Sequence, residues 1–195
     1  IGAVAGTIET VFSPAIDAAT VSARSMNNEL QKIEYYEGKV KGASAQVDNF
    51  TEIQNQLGQA VESQTNKVYE QGEQLGISKS RLDELVTSIQ NGVYNTDMLS
   101  GSELGLMDSL NQLSALQDKN KTATDNLTEA KRKLQKAEMD LSITQDIEAK
   151  NYELAAARIE AAFASGVYTA DEAGKQMALV LKQTNGEMKA NLLEN

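Results

Sequence analysis

The chain reads as an all-α protein: long coiled-coil-like helices joined by short glycine corners into an elongated helical bundle. Three observations carry that reading. Leucine falls on a seven-residue beat at Leu106, Leu113, Leu127, Leu134 and Leu141, with Asn120 in the one slot that breaks it. Leu116, Ala123, Ala130 and Ala137 sit three residues behind successive beats, which makes a helix-packing seam of leucine facing mostly small residues. The 195 residues include a single proline, so long helices meet almost no breaker, and aromatic residues make up only 5%, too few for the usual core of a globular enzyme.

The first element spans residues 1–76, an apolar N-terminal segment followed by a long helix. Ser13-Pro14 has the form of an N-cap with proline at the first helical position. From there an apolar track runs through Ile16, Ala19, Ala23, Met26, Leu30 and Ile33 to Val40 and Val47, and resumes through Leu57, Val61, Val68 and Leu75. The step from Val47 to Phe50 is a stammer, which overwinds a supercoil without ending the helix. Polar residues occupy several core slots, at Glu37, Ser44, Gln54, Gln64 and Gln71. Glutamine layers in a multi-chain bundle, or a wet and weakly packed rod, accommodate them better than a dry two-stranded seam.

Residues 77–101 hold a short helix and a connecting corner. Ser80-Arg-Leu-Asp83 resembles a capping box, and Leu82, Leu85, Val86 and Ile89 share one face. Gly92 supplies the left-handed residue after its end. Residues 102–165 then form the heptad helix, opened by the capping box Ser100-Gly-Ser-Glu103 and continued on a new face by Ile143, Ile147, Leu154, Ile159 and Phe163. About sixty residues at ~1.5 Å each make a helix of roughly 95 Å. Residues 166–195 are a terminal helix. It comes after a corner, Gly166-Val167-Tyr168-Thr169 with Glu172, that echoes Gly92-Val93-Tyr94-Asn95. Each copy reads as a glycine past a helix end, two apolar residues that bury against both helices, and a new N-cap.

The chemistry available to such a chain is narrow. With neither His nor Cys, a histidine-dependent triad, a thiol nucleophile and the usual zinc sets are excluded. Gly101-x-x-x-Gly105 lacks the lysine of a phosphate loop. Carboxylates at helical spacing, Glu138 with Asp146 and Glu148 with Glu153, read as structural or solvated groups, since a di-metal bundle adds a histidine that does not exist here. Asp48-x-Phe-x-Glu52 and Asp118-x-Asn120 lack the glycine and distal Glu of a calcium loop. No catalytic residue, metal site or cofactor is expected, and the chain reads as a structural protein rather than an enzyme. A formal charge of −10 argues against sequence-specific nucleic-acid binding. Lys131-Arg132-Lys133 with Lys136 forms a solvated basic face, with a docking patch for an acidic partner as the alternative. The chain opens at Ile1 and closes on a helical run, which reads as a segment of a longer polypeptide; a processed N-terminus is the alternative.

The Ala/Gln/Asn/Leu-rich helical texture, the drifting heptads, the near absence of Pro and Cys and the corner Gly166-Val-Tyr-Thr-Ala-Asp-Glu172 together resemble the tail tape measure proteins of long-tailed bacteriophages. The likeness is one of texture over most of the chain. It implies a virion component of the tail lumen or tail tip, built as a homo-oligomer (a trimer favoured) against tail tube and tail-tip hub proteins. Such a component sets tail length and aids genome ejection, with transient membrane contact through the apolar N-terminal segment. The alternative is a secreted helical-bundle effector or translocator that inserts that segment into a target membrane.

Overall fold

The computed structural model describes the backbone of residues 2–193 and the side chains of residues 30–186. Helices come in the order α1 (Gly2–Gln74), α2 (Lys79–Gln90), α3 (Met107–Glu148), α4 (Tyr152–Ala164) and α5 (Ala170–Leu193), with short 3-10 turns at Thr96–Met98 and Gly101–Leu106. No strand occurs among the described residues, and the fold is all-α. No described helix is long and apolar enough to cross a membrane. The side chains of the N-terminal apolar segment, from Ile1 to Ile16, and of Met188 lie outside the described residues.

The chain divides into two compact units, one continuous in sequence and one assembled from two separated pieces. One comprises Ser44–Lys131; the other joins Ile1–Ala43 to Arg132–Asn195. In the first, α1 and α3 run antiparallel, because Gln71 meets Ser109 whereas Gln54, earlier in the chain, meets Thr124, later in it. The short helix α2 packs on this pair. Val68, Leu82, Leu85, Leu106, Leu110 and Leu113 are all buried there, each contributing about 1.5–3 kcal/mol over an exposed position. In the second unit α4 and α5 fold back on the end of α3 and bury Ile143, Ile147, Ala155, Ile159, Ala162, Tyr168 and Val180.

Helix ends explain where the chain turns. At the end of α1, Gly76 takes a left-handed φ of 72° and the Ile77 N–H donates to the Gly72 carbonyl at 2.9 Å, closing a Schellman-type cap with Ile77 buried behind it. The cap of α2 is Ser78, whose hydroxyl accepts the Arg81 N–H, and not Ser80. Gly92 ends α2 in the same manner, with φ 70° and the Val93 N–H donating to the Ser88 carbonyl at 2.9 Å. Gly166, at φ 75°, ends α4.

Two further expectations about helix limits are corrected. The first helix does not begin at Pro14 but passes through it. Proline fixes φ near the helical value, so a long helix accommodates it at the cost of one backbone bond, about 3 kcal/mol. The heptad segment 102–165 is not one helix. It opens with a 3-10 turn, becomes α-helical at Met107, and is broken between Glu148 and Tyr152. The break has no glycine to announce it: Lys150 itself adopts φ 61°, and the Asn151 N–H donates to the Asp146 carbonyl at 2.8 Å. A non-glycine residue in that region costs about 1–2 kcal/mol, which the packing of α4 onto α3 outweighs.

The helical glycines of α1 separate into two kinds. A Cβ at Gly72 would meet the buried Leu82 Cδ2 at 2.4 Å, whereas one at Gly58 would meet nothing within 4 Å. Gly58→Ala should therefore raise the unfolding free energy by about 1 kcal/mol through helix propensity. Gly72→Ala should lower it by about 1–3 kcal/mol through overpacking. Urea denaturation of both variants would show the opposite shifts in midpoint.

Candidate functional site

The residues singled out in the sequence belong to the packing seam and to the joints, and the structure shows what each does. Along the seam, Leu106 at the end of the 3-10 turn and Leu113, Ala123, Leu127, Ala130 and Ala137 of α3 are buried, while Leu116, Asn120, Leu134 and Leu141 are half-buried. In the Ser44–Lys131 unit the face they form is covered by α1 of the same chain. The glutamines of α1 are satisfied within that pair rather than in layers between chains. Gln64 Nε2 donates to the Ser109 carbonyl at 3.0 Å, the Ser109 hydroxyl donates to Gln71 Oε1 at 2.5 Å, and Gln54 Nε2 donates to Thr124 Oγ1 at 3.0 Å. Glu37, by contrast, is exposed, and the neighbouring Tyr36 turns inward.

Asn120 supplies no side-chain oxygen bond across the seam. Its backbone carbonyl accepts from Thr124 Oγ1, but its side-chain Oδ1 is buried with no partner. Register instead resides in the three glutamine bonds, because each fixes one α1 position against one α3 position. Asn120→Leu should complete the leucine beat and raise stability by about 1 kcal/mol, since a buried acceptor without a partner costs about that much or more. A lower thermal midpoint for this variant would show that the amide is satisfied after all.

The two Gly-Val-Tyr corners share their first residue and then diverge. After Gly92, Val93 is 66% exposed and Tyr94 is half-buried with its hydroxyl unpartnered. Asn95 caps only the 3-10 turn, accepting the Asp97 N–H at 3.1 Å, so no α-helix starts there. After Gly166, Val167 is half-buried and Tyr168 is buried. The Tyr168 hydroxyl donates to Asp140 Oδ1 at 2.5 Å, and burial together with that carboxylate pushes its pKa well above the ordinary phenol value. Thr169 and Glu172 form the expected capping box: the Thr169 N–H donates to Glu172 Oε2 at 2.9 Å and the Glu172 N–H to Thr169 Oγ1 at 3.3 Å.

Most of the remaining polar ties link residues distant in sequence and so leave no local pattern. Arg81 holds the connecting segment against α2. Its Nε donates to Glu103 Oε1 at 2.8 Å, one terminal nitrogen donates to the Met98 carbonyl at 2.7 Å, and the other pairs with Glu84 at 3.0 Å. Glu103 also accepts the Ser100 N–H at 3.0 Å, and the Arg81 guanidinium holds its carboxyl below the usual range. In the other unit Arg158 Nε donates to the buried Asp146 at 2.5 Å, Lys136 of the basic cluster pairs with Glu172, and Lys32 pairs with Glu148 at 3.7 Å. The carboxylates at helical spacing thus include two, Asp146 and Glu148, that serve as ion-pair partners.

No group of three or more metal-ligating side chains occurs among the described residues. The depressions are open grooves. One of about 470 Å³ is lined by Gln135, Glu138, Met139, Ser142, Arg158, Ser165 and Val167, and another of about 310 Å³ lies between the end of α2 and Gln117–Asp125. Neither brings together a nucleophile, a base and an orienting group. No family model, curated protein or solved structure matches the chain.

Glu172 offers a titration that reports on the second corner. Lys136 first, then the Thr169 N–H, lower its pKa from 4.5 to about 2. A depressed carboxylate stabilises the fold above its unfolded pKa, so this contribution is complete above about pH 4.5 and is lost as pH falls toward about 2. NMR titration of the Glu172 carboxyl should give that value in the native chain and a clearly higher one in Lys136→Met.

Proposed function

We propose that this chain is a structural segment of a bacteriophage tail tape measure protein, and that its activity is mechanical: helices that occupy the tail lumen, set tail length, and leave ahead of the genome. The observation that carries the reading is the seam between α1 and α3, a long helix pair joined by amide and hydroxyl bonds at Gln54, Gln64 and Gln71 among modest apolar contacts. Hydrogen bonds of this kind contribute only about 1 kcal/mol each net of solvent, so they set alignment more than they add strength. A part that must assemble in register and later come apart benefits from that balance. The charge of −10 supports the same role, because like charge keeps the protein from adhering to outgoing DNA.

The same reading implies the partners. A homo-oligomer, three chains in our proposal, would be built on the outer helix faces, since Leu106, Leu110 and Leu113 are covered within the chain. Tube and tail-tip hub proteins would surround it. The direct test is deletion of matched heptads from α1 and α3 in the parent gene, with electron microscopy of the resulting tails. Tails should shorten in proportion to the deletion; tails of unchanged length exclude the ruler role. Leakage of liposomes caused by the isolated chain would favour a membrane-inserting translocator instead.

A further inference from the structure

The joint between α3 and α4 differs from every other joint of the described chain. Gly76, Gly92 and Gly166 end their helices at φ 72°, 70° and 75°, a conformation that costs glycine nothing. At the fourth joint the same left-handed position is held by Lys150 at φ 61°, flanked by Ala149 and Asn151. Ala and Lys are strong helix formers, and no glycine or proline stops the chain here. Local preference therefore favours a helix running straight through, whereas the structure turns.

Two bonds that hold the turn, one local and one tertiary, meet on one residue. Asp146, 9% exposed, accepts the Asn151 N–H on its backbone carbonyl at 2.8 Å and the Arg158 guanidinium on its carboxylate at 2.5 Å. Ala155, Ile159 and Ala162 of α4 complete the closure by burying against the Ile143 and Ile147 cluster. The opposite face of α4 is also apolar, yet it stays exposed: Leu154 is 45% exposed, and Ala157 and Ala161 face solvent. If the helix ran on, Met139, Ile143, Ile147, Leu154, Ala157 and Ala161 would fall at helical spacings of three and four, broken only by Lys150, on one continuous stripe. Of the apolar residues that the folded-back form leaves uncovered, Leu154, Ala157 and Ala161 would extend the buried stripe of α3 in a straight one, whereas Phe163, 53% exposed, lies off it.

We infer that the Ala149–Asn151 joint is a two-state element. It is closed as a hairpin by Asp146 and Arg158, and can straighten so that α3 continues through Ala164 as a single helix. The element gives this part of the chain two lengths with only the joint residues changing their secondary structure, and it stands on the joint itself whatever the role of the whole protein. Its equilibrium is biased by a residue that is strained in one state only: Lys150 carries the left-handed strain when closed and none when straight.

The chain has no cysteine, so labels can be placed cleanly. Ser142 and Ser165 line the same groove in the closed form. In a continuous helix they would stand about 35 Å apart at ~1.5 Å per residue. With spin labels at Ser142→Cys and Ser165→Cys, pulsed dipolar spectroscopy should find a dominant short distance in the native chain. Arg158→Ala should raise a second peak near 35 Å without loss of helical circular dichroism, and Lys150→Gly should remove it. A double variant, Lys150→Ala with Asn151→Ala, leaves the packed residues untouched and should also raise the long peak, which decides the matter should Arg158→Ala lose helix. A short distance alone in both opening variants overturns the inference. So does a broad distribution accompanied by loss of helicity in the double variant, because the joint would then melt rather than straighten.

Discussion

The antiparallel pairing of α1 with α3 organises the Ser44–Lys131 unit. Neither helix has an apolar face wide enough to be buried from several sides. Between residues 30 and 63 no α1 side chain is fully buried, and the apolar positions Ile33, Val40, Val47, Phe50 and Leu57 are all half-exposed. A pairing this thin is held in place by where it is polar. Three glutamine bonds favour one alignment, most of all Gln64 opposite Ser109, since a slip would leave that buried amide unpartnered. Stability and specificity therefore come from different residues. The dense cluster around Leu82, Leu85 and Leu110 supplies the former, and the glutamine bonds along the seam supply the latter.

With that pairing in place, the turns acquire their roles. Helix α2 can approach α1 closely because Gly72 leaves room for Leu82, and Arg81 then ties the irregular segment after α2 back onto it through Glu103 and Met98. In the other unit, Tyr168 and Asp140 do the equivalent work for the corner before α5. Both are polar ties placed where the chain lacks regular hydrogen bonding, which is where a backbone most needs outside partners. Among the described residues side-chain chemistry serves alignment and closure, which is what the proposed mechanical role would require.

Much of this was legible in the residues alone. The leucine beat and its small-residue partners identified the buried face of α3, because helical period and burial are linked by geometry that needs no knowledge of the rest of the fold. Gly92 and Gly166 were readable as left-handed helix ends for a similar reason: few other residues enter that region without strain. The Thr169 and Glu172 box was readable since its two partners lie three residues apart. Asn95 misled, because an identical capping residue opens an α-helix only when the succeeding turns have a face to bury, and the residues after Asn95 bury little before Leu99.

Helicity, the apolar face of α3 and the glycine bends were dictated by the residues alone, since each is a property of neighbours a few positions apart. Three other outcomes were settled only when distant parts of the chain met: the seam closes on α1 of the same chain, Gln54 finds Thr124, and α3 turns at Lys150 instead of continuing. At Lys150 the local preference was for helix, and it was overridden by Asp146 reaching Arg158 and by α4 packing on Ile143 and Ile147. A short-range pattern cannot encode that turn, because the energy that settles it exists only once the helices are in contact.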